Sequence, residues 1–381
     1  MRVVAHGVGL LAIDSDNSKA VGSTARCGCN RRERPSPHYA PYFCGAPLDL
    51  PALSTDLSLV MLIGSPRSGT TWLQSLLGAH PLIATPQETD LFTRFIAPLD
   101  EAWRWQMRGS EADWIERRMK GLPSLLTTAE FRTASRSLID AALQSVAQHK
   151  PGCEIVLEKS PSHSLHVATI AAYVPSVRFI HLIRDGRDAV DSMLAASQGW
   201  GAFWAPRSVA AGARLWAEYV RAARIANQTT QGCFELRYEA LRAVGAPALV
   251  ATFASVGIST DAAQCQAFID DRHIGTHQTT GRRTDSILIG GEFAHLADRP
   301  EPGGFVRTGT GGGWRTWTPA QRFAFDAAAG DLLCDLGYEP DRSWVHASSL
   351  QNSIRRSRRA AARLFRGGGA RIARAIDAKE V

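Results

Sequence analysis

The sequence predicts an α/β fold in which a central parallel sheet is flanked by helices. Short apolar runs at residues 57–63 and 177–183 are typical of strands that are buried on both faces. Residues 70–79 and 188–196 carry apolar side chains at helical spacing and follow these runs. Strands that alternate with helices indicate a parallel sheet covered on both sides, which makes three layers. The remaining candidates are two strands and one helix, at residues 155–157, 233–236 and 210–227.

The composition is that of a globular chain with a basic end. The chain has 381 residues, of which 45% are hydrophobic, and this suffices for one large α/β domain or two small ones. Eight arginines lie between Arg355 and Arg374 with no acid among them, and without them the formal net charge of +7 becomes −1. The near-neutral body gives no reason to expect nucleic acid as a partner.

Three regions follow from these patterns. Residues 1–50 are rich in turn formers and lack apolar periodicity, so we predict a poorly ordered extension. Residues 51–340 form the folded domain, and residues 341–381 form a basic tail. Two interpretations of the tail stay open. It is either a solvated end, the usual fate of a charge run, or a helix that makes weak contact with an anionic membrane surface.

The cysteines and the apolar segments indicate where the protein works. Seven scattered cysteines do not form a finger-like zinc pattern, and free thiols in a reducing compartment are the simpler interpretation. No run approaches the roughly 20 apolar residues of a membrane span. Residues 3–13 lack the basic start and cleavage site of a signal peptide. We therefore expect a cytoplasmic protein without a structural metal.

A loop suited to an anion joins the first strand to the first helix. Residues 64–71 read Gly-Ser-Pro-Arg-Ser-Gly-Thr-Thr, and such a turn points backbone N–H groups and the helix dipole at one spot. Arg67 adds a planar charged group that can clamp two oxygens. The spacing is P-loop-like, but Thr70 stands where a nucleotide hydrolase has lysine, which argues against triphosphate chemistry.

A second polar motif follows the strand at residues 177–183. Ligands of parallel sheets bind at the carboxyl ends of strands, where Arg184 lies. Arg184 could bind a phosphate group there, and Ser192 could contact the same phosphate if it lies about two turns into the next helix. An equally weighted alternative is that Asp185 or Asp188 caps this helix and that the arginines are solvated.

Together the two motifs resemble those of the family of sulfotransferases that use 3′-phosphoadenosine-5′-phosphosulfate (PAPS). Residues 65–72 look like its 5′-phosphosulfate loop, and residues 179–188 with Ser192 look like its 3′-phosphate motif. The resemblance covers roughly residues 57–340, so residues 51–340 are expected to be a sulfotransferase domain. Arg67 replaces the lysine of cytosolic members and is closer to the Golgi protein-tyrosine branch and to bacterial relatives. Arginine also outnumbers lysine 38 to 5, which fits a GC-rich bacterial genome, and we expect a bacterial member.

The resemblance implies the donor, its binding residues and the kind of acceptor. PAPS would give up its sulfuryl group and leave as 3′-phosphoadenosine-5′-phosphate (PAP), without a metal ion. The acceptor would be a hydroxyl-bearing small molecule, glycan or peptide. Two of the candidate nucleotide-binding residues, Trp72 and Tyr238, are aromatic and could equally belong to the core. The candidates are Ser65, Arg67, Ser68, Gly69, Thr70, Thr71, Trp72, Arg184, Ser192, Tyr238, Arg307 and Gly309.

Three further assignments concern the chemistry. Glu88 is the leading general base, because residues 86–89 are similar to the segment with the catalytic glutamate in the protein-tyrosine branch. Partial burial would raise its pKa toward the working pH. His163 is the rival base, and otherwise a loop histidine. Lys159 and Arg67 are expected to stabilise the transferring charge, unless Lys159 is a solvated strand-end lysine.

Two other functions compete with sulfuryl transfer. A nucleotide kinase or NTPase of the P-loop class requires a loop lysine and magnesium ligands, which the sequence does not offer. A PAP-binding protein with no catalytic activity needs only the anion sites. The presence of all the expected site residues argues against this second alternative; they are Arg67, Glu88, Lys159, Arg184 and Ser192.

Overall fold

The computed structural model describes residues 57–108, 121–229, 231–272, 287–288, 290–296 and 311–345. The predicted extension at residues 1–50 and the arginine-rich part of the tail lie outside the described residues, as do Arg307 and Gly309. No described helix is long and apolar enough to cross a membrane.

Five parallel strands form one sheet in the order β2-β3-β1-β4-β5. The strands are β1 (Ser58–Ile63), β2 (Ile83–Ala84), β3 (Ile155–Glu158), β4 (Arg178–Ile183) and β5 (Cys233–Arg237). The four predicted strands are confirmed. Strand β2 was not predicted, because a strand of two residues is too short to show a pattern.

Ten α-helices are described around this sheet. The predicted helices at residues 70–79, 188–196 and 210–227 are confirmed as α1, α5 and α6, the last followed by a 3₁₀ turn. The helices are α1 (Thr70–Gly78), α2 (Ala97–Met107), α3 (Thr128–Gln148), α4 (Val167–Tyr173), α5 (Gly186–Ser197), α6 (Val209–Ala223), α7 (Tyr238–Val244), α8 (Ala246–Ser255), α9 (Ala262–Asp271) and α10 (Pro319–Asp335).

The alternation of side chains along β1 produces the three layers. Leu59 and Met61 point to one face of the sheet and join a buried cluster with α3 and α4. Val60 and Leu62 point to the other face and join a cluster with α1, α7, α8 and α9. Because successive residues of a strand face opposite sides, an all-apolar strand must be covered twice. The P-loop-like three-layer fold predicted from the sequence is the observed one.

A third apolar cluster supports the helix that follows β4. Helices α5, α6 and α10 pack together here around the fully buried Trp216 of α6. Gly186 begins α5 against this ring, and a Cβ atom at Gly186 would lie 2.5 Å from it. The start of α5 can therefore approach α6 only because residue 186 has no side chain.

We predict that Gly186→Ala destabilises the protein by about 1–3 kcal/mol, because overpacking forces Trp216 or the helix to move. Gly199→Ala is the matched control, since a Cβ atom there meets nothing within 4 Å. Urea unfolding of both variants measures the difference. Equal stability of Gly186→Ala and the control would show that the contact between α5 and α6 is not tight.

Candidate active site

The turn after β1 has the shape that an anion-binding loop requires. Gly64 approaches β4 so closely that a Cβ atom would lie 2.6 Å from the carbonyl oxygen of Leu182. Gly69 has a φ of 94°, in the left-handed region that favours glycine, and its Cβ would lie 2.6 Å from the Tyr238 ring. Arg67 also has a positive φ, of 66°. The loop thus folds back on itself before α1 begins at Thr70.

Two serines show how this turn is held and where it can bind. The Gly64 amide donates a hydrogen bond of 2.9 Å to Ser164 Oγ, which fixes the first residue of the turn. Ser68 is buried, and its Oγ has no hydrogen-bond partner among the described residues. Buried hydroxyls are nearly always hydrogen-bonded, so an unpartnered one inside an anion loop points to a ligand.

The two predicted anion motifs contact each other directly. Arg184 Nη1 donates to the carbonyl oxygen of Arg67 at 3.0 Å, and Arg67 Nε donates to Ser192 Oγ at 3.0 Å. Ser192 lies in the second turn of α5, where the sequence analysis expected it. Arg184 is buried with its guanidinium 4.5 Å from the centre of the Tyr238 ring. The motif after β1 and the motif after β4 therefore form one site.

The alternative interpretation of the second motif is right about the cap and wrong about the arginines. The Asp185 side chain caps α5 by accepting a hydrogen bond from the Arg187 amide. Arg187 is buried, pairs with Asp185 and Glu339, and lies 3.8 Å from the centre of the Trp314 ring. Its role is therefore to fix the start of α5, which leaves Arg184 for the site.

Lys159 connects the first loop with the proposed base. It follows β3, is buried, and donates to Thr71 Oγ1 at 3.1 Å. Its ammonium also forms an ion pair with the Glu88 carboxylate. The interpretation of Lys159 as a solvated strand-end lysine is therefore wrong. The ammonium lies between the helix that follows the anion loop and Glu88.

The segment before Glu88 is fixed by hydrogen bonds. The Gln74 amide group donates to Thr85 Oγ1 at 2.8 Å, and the Gln87 amide donates to the carbonyl oxygen of Leu288 at 2.7 Å. The side chain of Glu88 itself is 42% exposed. This partial exposure leaves the carboxylate accessible from solvent.

The segment after Glu88 is anchored to a buried acid at the end of β3. Thr89 Oγ1 donates to Glu158 at 2.7 Å, and the Asp90 amide donates to Ser160 Oγ at 3.0 Å. Glu88 thus lies between two fixed stretches of chain. The role of Glu158 was not predicted, although an acid at the end of a buried strand was the available signal in the sequence.

His163, the rival base, has both ring nitrogens engaged. Its Nδ1 lies 2.6 Å from a Glu158 carboxylate oxygen, and its Nε2 accepts a hydrogen bond of 3.1 Å from the Phe92 amide. Nε2 is therefore the unprotonated nitrogen and Nδ1 donates to Glu158. The ring is fully buried. This geometry favours Glu88 over His163 as the group that receives a proton from an acceptor.

The aromatic candidates combine packing with proximity to the site. Tyr238 is buried between Gly69 and Arg184. Trp72 is half-buried, and its Nε1 donates to the carbonyl oxygen of Arg272 at 3.1 Å. The two rings meet edge to face, with centres 6.0 Å apart. Tyr238 therefore supports the turn after β1, whatever else it contacts.

These contacts define an anion site next to a paired carboxylate and ammonium. Such a combination is suited to the transfer of a charged group. Among the described residues, no three His, Cys, Asp or Glu side chains are grouped so that they could hold a metal ion.

Comparisons with known proteins identify the family. The model of the sulfotransferase family matches residues 60–257, which is more than half of the chain. The chain therefore belongs to the sulfotransferase family.

Individual relatives and a solved structure are similar to this chain over part of its length. A putative protein-tyrosine sulfotransferase of Caenorhabditis briggsae is 31% identical over 37% of this chain and 45% of its own length. Protein-tyrosine sulfotransferase 1 of Homo sapiens is 28% identical over 39% of this chain and 38% of its own length. This chain thus matches less than half the length of either relative. Mouse sulfotransferase SULT7A1, solved in complex with PAP, superposes with a TM-score of 0.43 and 13% identity, over 73% of this chain and 84% of that structure.

The buried acid behind the site predicts a pH dependence of stability. Burial opposes ionisation of Glu158, yet His163, Thr89 and Ser160 together hold the pKa of its carboxyl below the ordinary value of 4.5. Below that value the unfolded state binds more protons than the folded state, so the stabilisation is present above about pH 4.5 and is lost as the pH falls further.

We expect Glu158→Gln to lower the free energy of unfolding by about 1–3 kcal/mol at neutral pH, because the amide NH₂ faces hydrogen-bond donors. The difference from the wild-type protein should narrow below pH 4.5. Denaturant unfolding between pH 7 and pH 3 measures this, with the exposed Glu154→Gln as the control. A difference that is constant across this range would contradict the assignment.

Proposed function

We propose that this protein is a PAPS-dependent sulfotransferase that moves a sulfuryl group from PAPS to the hydroxyl of a small-molecule, glycan or peptide acceptor. Membership of the sulfotransferase family supports the class of reaction. The observation that carries the proposal is the position of Lys159, which contacts both Thr71 beside the anion loop and the accessible carboxylate of Glu88.

The residues present fit the two anionic ends of PAPS. Ser68 Oγ and Arg184 Nε are both buried and lack hydrogen-bond partners among the described residues. Buried polar groups of this kind are costly unless they are satisfied. The 5′-phosphosulfate would lie in the loop with the N-terminus of α1, against Ser65, Ser68, Gly69, Thr70 and Thr71. Arg184 and Ser192 would hold the 3′-phosphate.

The protein's own groups would supply what the transfer needs. PAPS supplies a sulfuryl group on a phosphate leaving group. Glu88 would take the proton of the acceptor hydroxyl as the hydroxyl oxygen attacks sulfur and the sulfur–oxygen bond to phosphate breaks. Lys159 would stabilise the negative charge that develops on the bridging oxygen. Arg67, which belongs to the first anion motif and contacts Arg184 and Ser192 of the second, would add positive charge without a metal ion.

The names of the relatives suggest one acceptor to try first. The curated relatives are protein-tyrosine sulfotransferases, so a tyrosyl phenol in a peptide is the first candidate acceptor. Glu88 is reachable from solvent, which is compatible with an acceptor as large as a peptide. Assays with a tyrosyl peptide, a simple phenol and a sugar alcohol would distinguish the acceptor classes.

The assignment of Arg184 predicts a selective loss of nucleotide affinity. Arg184→Ala should weaken PAP about 10- to 100-fold, because a hydrogen bond to a charged group contributes about 1.5–3 kcal/mol. Adenosine-5′-phosphosulfate, which lacks the 3′-phosphate, should be affected much less. Titration calorimetry measures both ligands, and Arg224→Ala, which removes an exposed arginine paired with Glu235, is the control. Equal weakening of both ligands would show that Arg184 acts through its hydrogen bond to the Arg67 turn and does not hold the 3′-phosphate.

Glu88→Gln should separate chemistry from binding. The amide keeps the shape but cannot accept the proton, so turnover should fall by about 10²–10⁴-fold. The affinity for PAP should stay within about threefold, because Glu88 does not contact the nucleotide in this proposal. The defect should shrink with acidic phenols and grow with sugar alcohols.

Two variants test whether another group acts as the base. His163→Ala should reduce the amount of folded protein more than the turnover of what folds, because it leaves the buried Glu158 without one of its hydrogen-bond donors. An active Glu88→Gln variant together with an inactive, folded His163→Ala variant would exchange the two roles. PAP binding without turnover of any acceptor class would favour a nucleotide-binding protein that has no catalytic activity.

Removal of divalent metal should leave turnover intact. Excess EDTA is expected to preserve most of the activity with PAPS, because Arg67 and Lys159 supply the positive charge. The measurement is the initial rate before and after chelation, with magnesium added back. Loss that magnesium restores would favour the nucleotide kinase or NTPase alternative.

A further inference from the structure

A short 3₁₀ helix that follows β3 contacts both the anion loop and the segment that follows Glu88. This element, Pro161–His166, is called the connecting helix below. Its successive residues Ser162, His163 and Ser164 each form a side-chain hydrogen bond to one of these two parts of the chain. The last two of the three are fully buried, so water does not compete for their hydrogen bonds.

Ser164 binds both backbone groups of the residue at which the anion loop begins. Its Oγ accepts a hydrogen bond of 2.9 Å from the Gly64 amide and donates to the Gly64 carbonyl oxygen at 3.2 Å. The two residues are a hundred positions apart in the chain. Because a hydroxyl can donate and accept at the same time, this one side chain fixes both the place and the orientation of the first loop residue.

The two residues before Ser164 hold the chain just after the proposed base. Ser162 Oγ donates to Asp90 Oδ1 at 2.6 Å, and the Phe92 amide donates to His163 Nε2 at 3.1 Å. Asp90 is only two residues beyond Glu88. The connecting helix therefore binds the anion loop with one residue and the segment that carries the base with the two residues before it.

The backbone is strained in both of the segments that the connecting helix binds. Among the described residues other than glycine, only Arg67 and Asp90 have a positive φ, of 66° and 51°. This conformation is costly for a residue with a side chain, and it persists only where surrounding contacts hold it. Arg67 lies three residues after Gly64, and Asp90 is itself bound by Ser162. Strain in both segments indicates that their positions are imposed by contacts with the rest of the fold.

We propose that Ser162 and Ser164 are positioning residues that couple the anion loop to the segment carrying Glu88 through the connecting helix. This role rests on the proposed function, since transfer requires that the donor and the base be aligned, and a misplacement of about 1 Å can cost about 10²-fold in rate. Neither serine touches the donor or the acceptor in this role. Lys159 joins the same two parts through Thr71 and Glu88, so the test must separate the two connections.

The test is amide hydrogen exchange, measured by mass spectrometry with and without saturating PAP. The amides of residues 89–92 all donate to side chains, so their exchange reports local opening of this segment. In the wild-type protein PAP should slow exchange in residues 64–71, where it binds. It should also slow exchange in residues 89–92 by about fivefold or more, the lower end of typical coupling between two sites.

Four variants locate the coupling. In Ser164→Ala, PAP should still protect residues 64–71, but the effect on residues 89–92 should fall below about twofold. Ser162→Ala should reduce the same effect, and Ser162→Thr should restore it, because the hydroxyl is kept at a half-buried position. Thr252→Val is the matched control, since it removes a fully buried hydroxyl that donates within α8. If Ser164→Ala does not fold, the two Ser162 variants still test the coupling.

Calorimetry gives the PAP affinity of each variant and separates failure of the coupling from failure of the proposed function. Wild-type protein that does not bind PAP would overturn both. Wild-type protein that binds PAP without protection of residues 89–92 would overturn only the coupling. Protection that survives in both Ser164→Ala and Ser162→Ala would assign the coupling to Lys159, and a lower unfolding temperature alone would leave the serines a purely structural role. Loss of protection in Ser162→Thr or in Thr252→Val would contradict the proposed hydrogen-bond path.

Discussion

The hydrogen bond from Arg184 to the carbonyl oxygen of Arg67 is the interaction on which the site depends. It joins the turn after β1 to the end of β4, two strands that are neighbours in the sheet. Because both strands are parallel, their carboxyl ends lie at the same edge, and one arginine can span the gap. The same contact orients the backbone of Arg67, whose side chain then reaches Ser192. The two anion motifs are therefore parts of a single structure.

Behind this edge, a buried polar cluster around Glu158 anchors the segment that carries Glu88. Glu158 accepts hydrogen bonds from Thr89, Ser160 and His163 in a site with almost no exposure to solvent. A buried carboxylate is tolerated only when it is paired and hydrogen-bonded. All of these hydrogen bonds are therefore needed together, and they make the cluster rigid. Its rigidity is transmitted to Glu88 through the next residue, Thr89. The carboxylate of Glu88, the proposed base, can thus be partly exposed and still be well positioned.

The sequence predicted the layers well because their cause is local. An all-apolar strand such as residues 57–63 must be covered on both faces, and the strand-to-helix turn follows from its glycines. It also predicted that Lys159 and Glu88 belong to one site, by resemblance. It did not separate Glu88 from His163, because the engagement of His163 depends on the Phe92 amide, which is distant along the chain. Long-range hydrogen bonds leave no periodic pattern in the sequence.

The same limit explains why the role of Asp188 was undecided. As a residue near a helix start it is as suitable for a cap as for any other purpose, and only the fold shows that Asp185 takes the cap. The Asp188 carboxylate instead accepts a hydrogen bond from the amide of Gly312, a residue more than a hundred positions later in the chain. The six glycines at residues 303–313 predict a flexible loop, but they do not predict that the described residues 311–313 lie against α5.

The unequal burial of Lys159 and Glu88 decides which of the two can move. The Lys159 side chain is 2% exposed and held by Thr71, whereas that of Glu88 is 42% exposed. Reorienting a buried ammonium would leave a charge without partners, which is costly, but a half-exposed carboxylate can exchange one partner for water or an acceptor. Under the proposed function, Glu88 would therefore turn toward the acceptor hydroxyl while Lys159 stays beside the loop. A pair that is fixed at one end and free at the other can bring the base to an acceptor without moving the positive charge that transfer requires.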